Sequence, residues 1–194
     1  VTVMPVDIYG TTSKGEYVYS VGDGAITGNT TASGADYTIP SMIELQAYSV
    51  RNAYGGYSSS DGTAVTNNKI TVSADSVPVD EKLYGGYASG NNSDAENNEV
   101  IINQGKIGDV YGGYTEKSGN AAINTVTIEK STISLGVTGG YTPSGNAVIN
   151  TVNIIDTKIS EDIYGGRTLS GEGSNNTVTI AGNSIIDGVI TGGF

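Results

Sequence analysis

The chain contains no cysteine, no histidine and no tryptophan, and only one phenylalanine and four prolines. It carries nine lysines and arginines against twenty aspartates and glutamates. Without cysteine there is no disulfide framework and no thiolate nucleophile, and without histidine there is no zinc-finger site and no imidazole base. Thinly spread cations form no basic patch to neutralise phosphates, which excludes nucleic-acid binding and attraction to an anionic bilayer. The net charge of −11 instead favours solubility of a long exposed structure. No apolar run approaches the roughly 18 residues of a membrane span, so direct membrane insertion of this segment is not expected. The chain starts at Val1 without a charged leader and stops at Phe194 inside a repeat signature, as expected of a piece of something longer.

Glycine (29 residues) and tyrosine (13) are abundant, alongside many Thr, Asn, Val and Ile, a composition of short strands punctuated by turns. An acidic Gly/Ser/Asn-rich chain is also the composition of disorder. The apolar residues, however, recur in register. Six signatures recur, Tyr54-Gly55-Gly56-Tyr57, Tyr84-Gly85-Gly86-Tyr87, Tyr111-Gly112-Gly113-Tyr114, Thr138-Gly139-Gly140-Tyr141, Tyr164-Gly165-Gly166-Arg167 and Thr191-Gly192-Gly193-Phe194, at intervals of 30, 27, 27, 26 and 27. A fixed period of this size marks a stacked architecture in which each unit buries its apolar face only against its neighbours.

Three strands are predicted per unit: one ending in the Gly-Gly pair, one reading N-T-V-T-I after an S-G-N turn, and a weaker one carrying Ile133 and Leu135, or Ile159 in the next unit. The second alternates with period two, the mark of a half-buried strand. Its inward pairs are Ile70 and Val72, Val100 and Ile102, Val126 and Ile128, Val152 and Ile154, and Val178 and Ile180, with Thr71, Thr127 and Thr179 pointing outward. A unit of 26–27 residues, bent by three turns, is the contour of one triangular coil. Propeller blades need about 40 residues, and the leucine-rich L-x-x-L-x-L pattern is missing. The expected fold is therefore all-β, a right-handed parallel β-helix (β-solenoid) forming a rod of roughly 30 Å at about 4.7–4.9 Å per coil. Residues 1–53 read as irregular first coils or an N-terminal cap, and 54–194 as the regular repeats.

Asn68, Asn98, Asn124, Asn150 and Asn176 share one slot, where a stacked amide donates to one neighbour and accepts from the other, so they read as a structural ladder at a corner. The Gly-Gly pairs read as corners needing positive φ and close chain approach; no helix start or Lys follows them to make a phosphate cradle. Tyr54, Tyr84, Tyr111 and Tyr164 form one column with Thr138 and Thr191. Tyr57, Tyr87, Tyr114 and Tyr141 form a second, continued by Arg167 and Phe194. Stacked rings supply packing, and an exposed ladder of Tyr57, Tyr87, Tyr114 and Tyr141 is also what a glycan-contacting groove would use. The T-x-T pairs Thr125/Thr127 and Thr177/Thr179 occur in too few coils for an ice-binding face. Asp61, Asp75, Asp80, Glu81, Asp94, Glu96, Glu161 and Asp162 fall mostly in turns without a common slot, and the calcium-roll nonapeptide is absent. No catalytic residue, no metal ligand and no cofactor site is expected, and the chain reads as not an enzyme.

The unit Y-G-G-Y-T-x-x-S-G-N-A-x-x-N-T-V-T-I, over Tyr54 to Phe194 and most strongly from Val110 to Ile180, resembles the β-helical passenger repeats of autotransporter (type V secreted) surface adhesins of Gram-negative bacteria. The resemblance implies a stalk exported across the outer membrane to the cell surface, with a translocator barrel elsewhere in the parent. It also implies partners among host-cell, matrix or bacterial surface proteins or glycans. It brings no catalytic motif. The alternative is a carbohydrate-binding or polysaccharide-degrading β-helix; a lyase would need a base beside a charge neutraliser, and the lone Arg167 and scattered lysines supply no such cluster.

Overall fold

A computed structural model describes residues 6–21, 32–41, 45 and 49–194. Parallel sheets stack as a β-solenoid of about five turns, with almost no helix. The N-T-V-T-I segments form a six-stranded parallel sheet running Thr177–Ala181, Thr151–Ile155, Thr125–Glu129, Glu99–Asn103, Lys69–Val72 and Asp36–Thr38. Register is strict: Val126 pairs with Val152 and Val100, and Ile128 with Ile154 and Ile102. Identical residues one coil apart thus occupy one file, and the alternation that buries Val and Ile leaves Thr71 and Thr127 on the outer side.

The core is the file of inward residues from all faces, among them Ile70, Val100, Ile128, Ile154, Leu83, Val110, Ile133 and Ile163, each fully buried. Each removes about 1.5–3 kcal/mol of side chain from water. The last pair departs from this pattern. Ile180 is 38% exposed, and Val178 is only partly buried, because no coil among the described residues lies over them.

Four features differ from the sequence reading. The Gly-Gly strands do not end at the pair but continue past it, as in Val50–Ser58, Val79–Ala88 and Lys106–Thr115. None of these paired glycines has positive φ; the left-handed glycines lie in turns, Gly62 and Gly119 among them. Their role is close approach, since a Cβ on Gly55 or Gly85 would strike the Gly85 or Gly112 carbonyl of the next coil. The weak third strand is real but shorter than expected: Thr132–Ile133 buries Ile133, whereas Leu135 lies outside it at 40% exposure. A small parallel sheet, Ala121–Ala122 on Ala95–Glu96 on Val65–Thr66, went unforeseen, because two residues are too few to display a period.

Within residues 6–53, Val6–Gly10 pairs in parallel with the Tyr54 strand, Tyr9 opposite Tyr54. On its other side it is covered by the antiparallel strand Tyr17–Val21, which occupies the sheet edge.

The left-handed corner lies one residue before the asparagine ladder. It is held by Asn67, Asn97 and Asn175 in three coils, but by Ile123 and Ile149, each at φ 59°, in the other two. A β-branched residue is strained there, whereas Asn is tolerated. Ile123 is 50% exposed, so little packing compensates. Ile123→Asn is expected to stabilise the fold by roughly 1 kcal/mol, read as a higher urea midpoint; an unchanged or lower midpoint would show that the exposed side chain packs usefully.

Candidate functional site

The Gly-Gly pair shapes the most distinctive surface. Alternation should place residues three apart on opposite sides of a strand. Here both glycines turn inward: Cβ atoms built on Gly112 and Gly113 point at Val126 and Asn124, and the paired register skips Gly112. The flanking tyrosines therefore share the outer side, and two files of rings run along the rod.

In the first file Tyr9, Tyr54, Tyr84 and Tyr111 stack with centroids 4.6, 5.1 and 5.3 Å apart and planes within 18°. In the second, Tyr57, Tyr87, Tyr114 and Tyr141 stack at 5.6, 5.2 and 4.8 Å. Across the files the rings meet edge to face, Tyr84–Tyr87 at 4.9 Å and 70°, and Tyr111–Tyr114 at 5.1 Å and 83°. Both geometries suit the ring quadrupole, and such pairs contribute about 0.5–1.5 kcal/mol each beyond area. Tyr57, Tyr87, Tyr114 and Tyr141 are half-buried, and the middle two have both faces covered by neighbouring rings. Edges and hydroxyls remain outward; Tyr87, for example, donates to Glu116 Oε2 at 3.1 Å. Tyr9 belongs to the file but was not foreseen, because its segment Tyr9-Gly10-Thr11 lacks the second glycine.

Burial raises the phenols of Tyr54, Tyr84, Tyr87 and Tyr111 well above their usual value of 10.0, assisted by neighbouring tyrosines and, for Tyr111, by Asp109. A folded pKa above the unfolded one stabilises the fold below about pH 10 and ceases to do so as pH rises beyond it. Phenolate absorbance should therefore appear in an alkaline titration as a cooperative step coincident with loss of the β circular dichroism. Smooth ionisation of all tyrosines with the fold intact would contradict this packing.

The first file breaks at Thr138. Strand pairing sets Thr138 opposite Tyr111 on one side and Tyr164 on the other. A short side chain where a ring would stand leaves a notch of about 160 Å³, lined by Asp109, Tyr111, Gly136, Thr138, Glu161, Asp162, Tyr164 and Arg167. Tyr111 donates to Asp109 Oδ2 at 2.7 Å and Tyr164 to Asp162 Oδ2 at 2.9 Å. Burial nevertheless pushes the Asp109 carboxyl up. The Val189 backbone N–H, 2.8 Å from Asp162 Oδ1, and the Tyr164 hydroxyl hold Asp162 below its usual value. The Arg167 guanidinium lies 5.1 Å from the Tyr164 centroid and 5.9 Å from that of Tyr141, within cation–π range. Its Nε is buried without a partner among the described residues.

The asparagine ladder is internal. Asn68, Asn98, Asn124 and Asn150 each donate from Nδ2 to the next Oδ1, at 2.9–3.1 Å, the last to Asn176. Each Oδ1 also accepts the backbone N–H of the preceding ladder residue, as Asn124 Oδ1 does from Asn98 at 3.0 Å. A second polar file was not foreseen. Asp94 accepts the Asn120 N–H at 2.6 Å, Asn120 that of Asn146, and Asn146 that of Glu172. Asp61 and Asp156 make the same intercoil bond to the Asn91 and Asn183 N–H. Several turn acids thus staple one coil to the next, and among the described residues no three metal-ligating side chains converge. The outer file at Thr127 continues through Ile101 and Asn153, so no regular threonine array forms.

Comparison with protein-family models, with curated proteins and with solved structures finds none that matches the chain.

Proposed function

We propose that this chain is a non-enzymatic segment of a bacterial secreted or cell-surface protein, acting in adhesion as a stalk or by displaying a lateral binding surface to a protein or glycan of a host cell, matrix or neighbouring bacterium. The observation that carries the reading is the run of equivalent side chains in files along one rod: an apolar core, an asparagine ladder and two tyrosine stacks, the first of which breaks at Thr138. Such a stack holds side chains at fixed intervals in register, which suits projection and repeated presentation. The charge of −11 keeps so exposed a surface soluble. The resemblance of the repeat unit to autotransporter passenger regions supports export to the cell surface, and the carboxylates that bond between coils support a scaffold over a catalyst.

Two measurements test it. A membrane-impermeant amine label applied to intact cells of the producing organism should modify the protein, and exclusive labelling after lysis would sink the surface assignment. The purified chain should release no reducing or unsaturated ends from a panel of acidic and neutral polysaccharides; turnover of any of them would replace the scaffold reading with a carbohydrate-active one.

A further inference from the structure

We propose that the notch at Thr138 is a monosaccharide subsite that takes one neutral hexopyranose ring of a glycan. Its shape follows from the interrupted tyrosine file. Tyr111 and Tyr164 stand two coil rises apart, about 9–10 Å, which leaves room for one ring-sized group where a phenol is missing. Tyr111 stacks on Tyr84 with one face, so the other is turned toward the gap. A pyranose packs its C–H face on such a ring, as other apolar faces do.

The polar lining selects the ligand class. Thr138 is 5% exposed, and its hydroxyl has no hydrogen-bond partner among the described residues, although it lines the notch. Arg167 likewise forms no hydrogen bond or ion pair among them. The buried Arg167 Nε demands an acceptor, and the Thr138 hydroxyl on the notch wall can donate or accept. On the same walls the Asp109 and Asp162 carboxylates already accept from Tyr111 and Tyr164, and Asp162 also from the Val189 N–H; their remaining lone pairs can accept from a ligand's donor. A ligand that satisfies both sets must donate and accept at every polar group, which is what a ring of alcohols does. A phosphate or simple carboxylate would face Asp109, Glu161 and Asp162, and a cation would face Arg167. A bare aromatic ring would leave Thr138 and Arg167 unsatisfied. This inference goes beyond display at a surface and stands whether or not the chain is exported, because sugar binding is a property of the chain in solution.

The test is a titration of the ¹⁵N-labelled chain with methyl hexopyranosides of the gluco, manno and galacto series, followed by NMR, with glycine and inorganic phosphate as competing chemistries. At least one glycoside should give saturable shifts confined to Gly136, Thr138, Tyr164 and their neighbours, with Kd in the millimolar range usual for single sugars. Thr138→Tyr restores the ring that other coils carry; it should fold with equal or higher Tm and abolish the shifts. Arg167→Gln should weaken binding at least about tenfold, and decides the matter should Thr138→Tyr fail to fold. The proposal is overturned by the absence of saturable shifts up to about 100 mM glycoside, by binding that survives Thr138→Tyr, or by a notch that responds to glycine or phosphate and to no sugar.

Discussion

Asn124→Ala is expected to cost roughly 3–5 kcal/mol of stability, a large part of the 5–15 kcal/mol that typically separates folded from unfolded chains. The Asn124 side chain takes part in four hydrogen bonds. Its Oδ1 accepts the Asn98 backbone N–H and Nδ2, and its Nδ2 donates to Ala95 O at 2.9 Å and to Asn150 Oδ1 at 3.0 Å. The residue is fully buried, so water cannot take the vacated places. Asn98 Nδ2 keeps Val65 O, whereas the Asn98 N–H loses its acceptor and Ala95 O its amide donor. Each orphan carries a desolvation penalty of about 1–3 kcal/mol. Equilibrium urea unfolding of both chains measures the loss, and a difference below about 1 kcal/mol would mean that the ladder is ornamental.

Asn124→Asp separates the two halves of the amide's role. It keeps an acceptor toward Asn98 but turns a lone pair on Ala95 O and Asn150 Oδ1. Burial raises the folded pKa of this new carboxyl above its unfolded value near 3.9, so the protonated form is the one the fold tolerates. The variant should be most stable below about pH 4 and lose stability relative to the parent as pH rises toward neutrality. Equal stability of variant and parent at pH 7 would refute the donor's contribution.

Gly113→Ala should be as damaging, at about 3–5 kcal/mol or outright failure to fold. In a chain of this length that corresponds to a fall in Tm of roughly 6–20 °C. The backbone at Gly113 is not left-handed, so the cost is steric. A Cβ there would overlap Asn124 Nδ2, lie 2.6 Å from Ala95 O and 2.7 Å from Asn124 Cγ. None of these can move aside, since the Asn124 amide is held by its four bonds and Ala95 O belongs to the small parallel sheet. Gly62→Ala is the matched control. It meets nothing within 4 Å but sits at φ 68°, and should cost only about 1 kcal/mol. Similar losses at both positions would show that conformational freedom, and not close packing against the ladder, governs the glycines.

The stacked fold was legible because its signals repeat. The Val and Ile pairs of the N-T-V-T-I strand recur at the interval of the ladder asparagines, and each pair lands opposite its equivalent. The buried ladder followed from the same arithmetic, since Asn has both a donor and an acceptor to pass along a file. Elements whose signature is incomplete or too short escaped. Tyr9 joins its file from a segment without the full signature, and the Ala121–Ala122 sheet is too short to show a period. Positive φ was expected at the Gly-Gly pairs but lies one residue before the ladder asparagine, where Ile123 and Ile149 break the compositional cue that Asn67, Asn97 and Asn175 supply.

Period, file membership and the absence of thiol or imidazole chemistry belong to the amino-acid sequence, because a strand's two-residue alternation and a coil's fixed length are local properties. That Tyr54 and Tyr57 share one side, that their rings interlock, and that Thr138 opens a polar notch between Tyr111 and Tyr164 were decided by tertiary structure. Two inward glycines interrupt the alternation at that point, and only the register between coils sets which side chains meet across it. Contacts between residues a full coil or more apart depend on that register, and no window along the chain contains it.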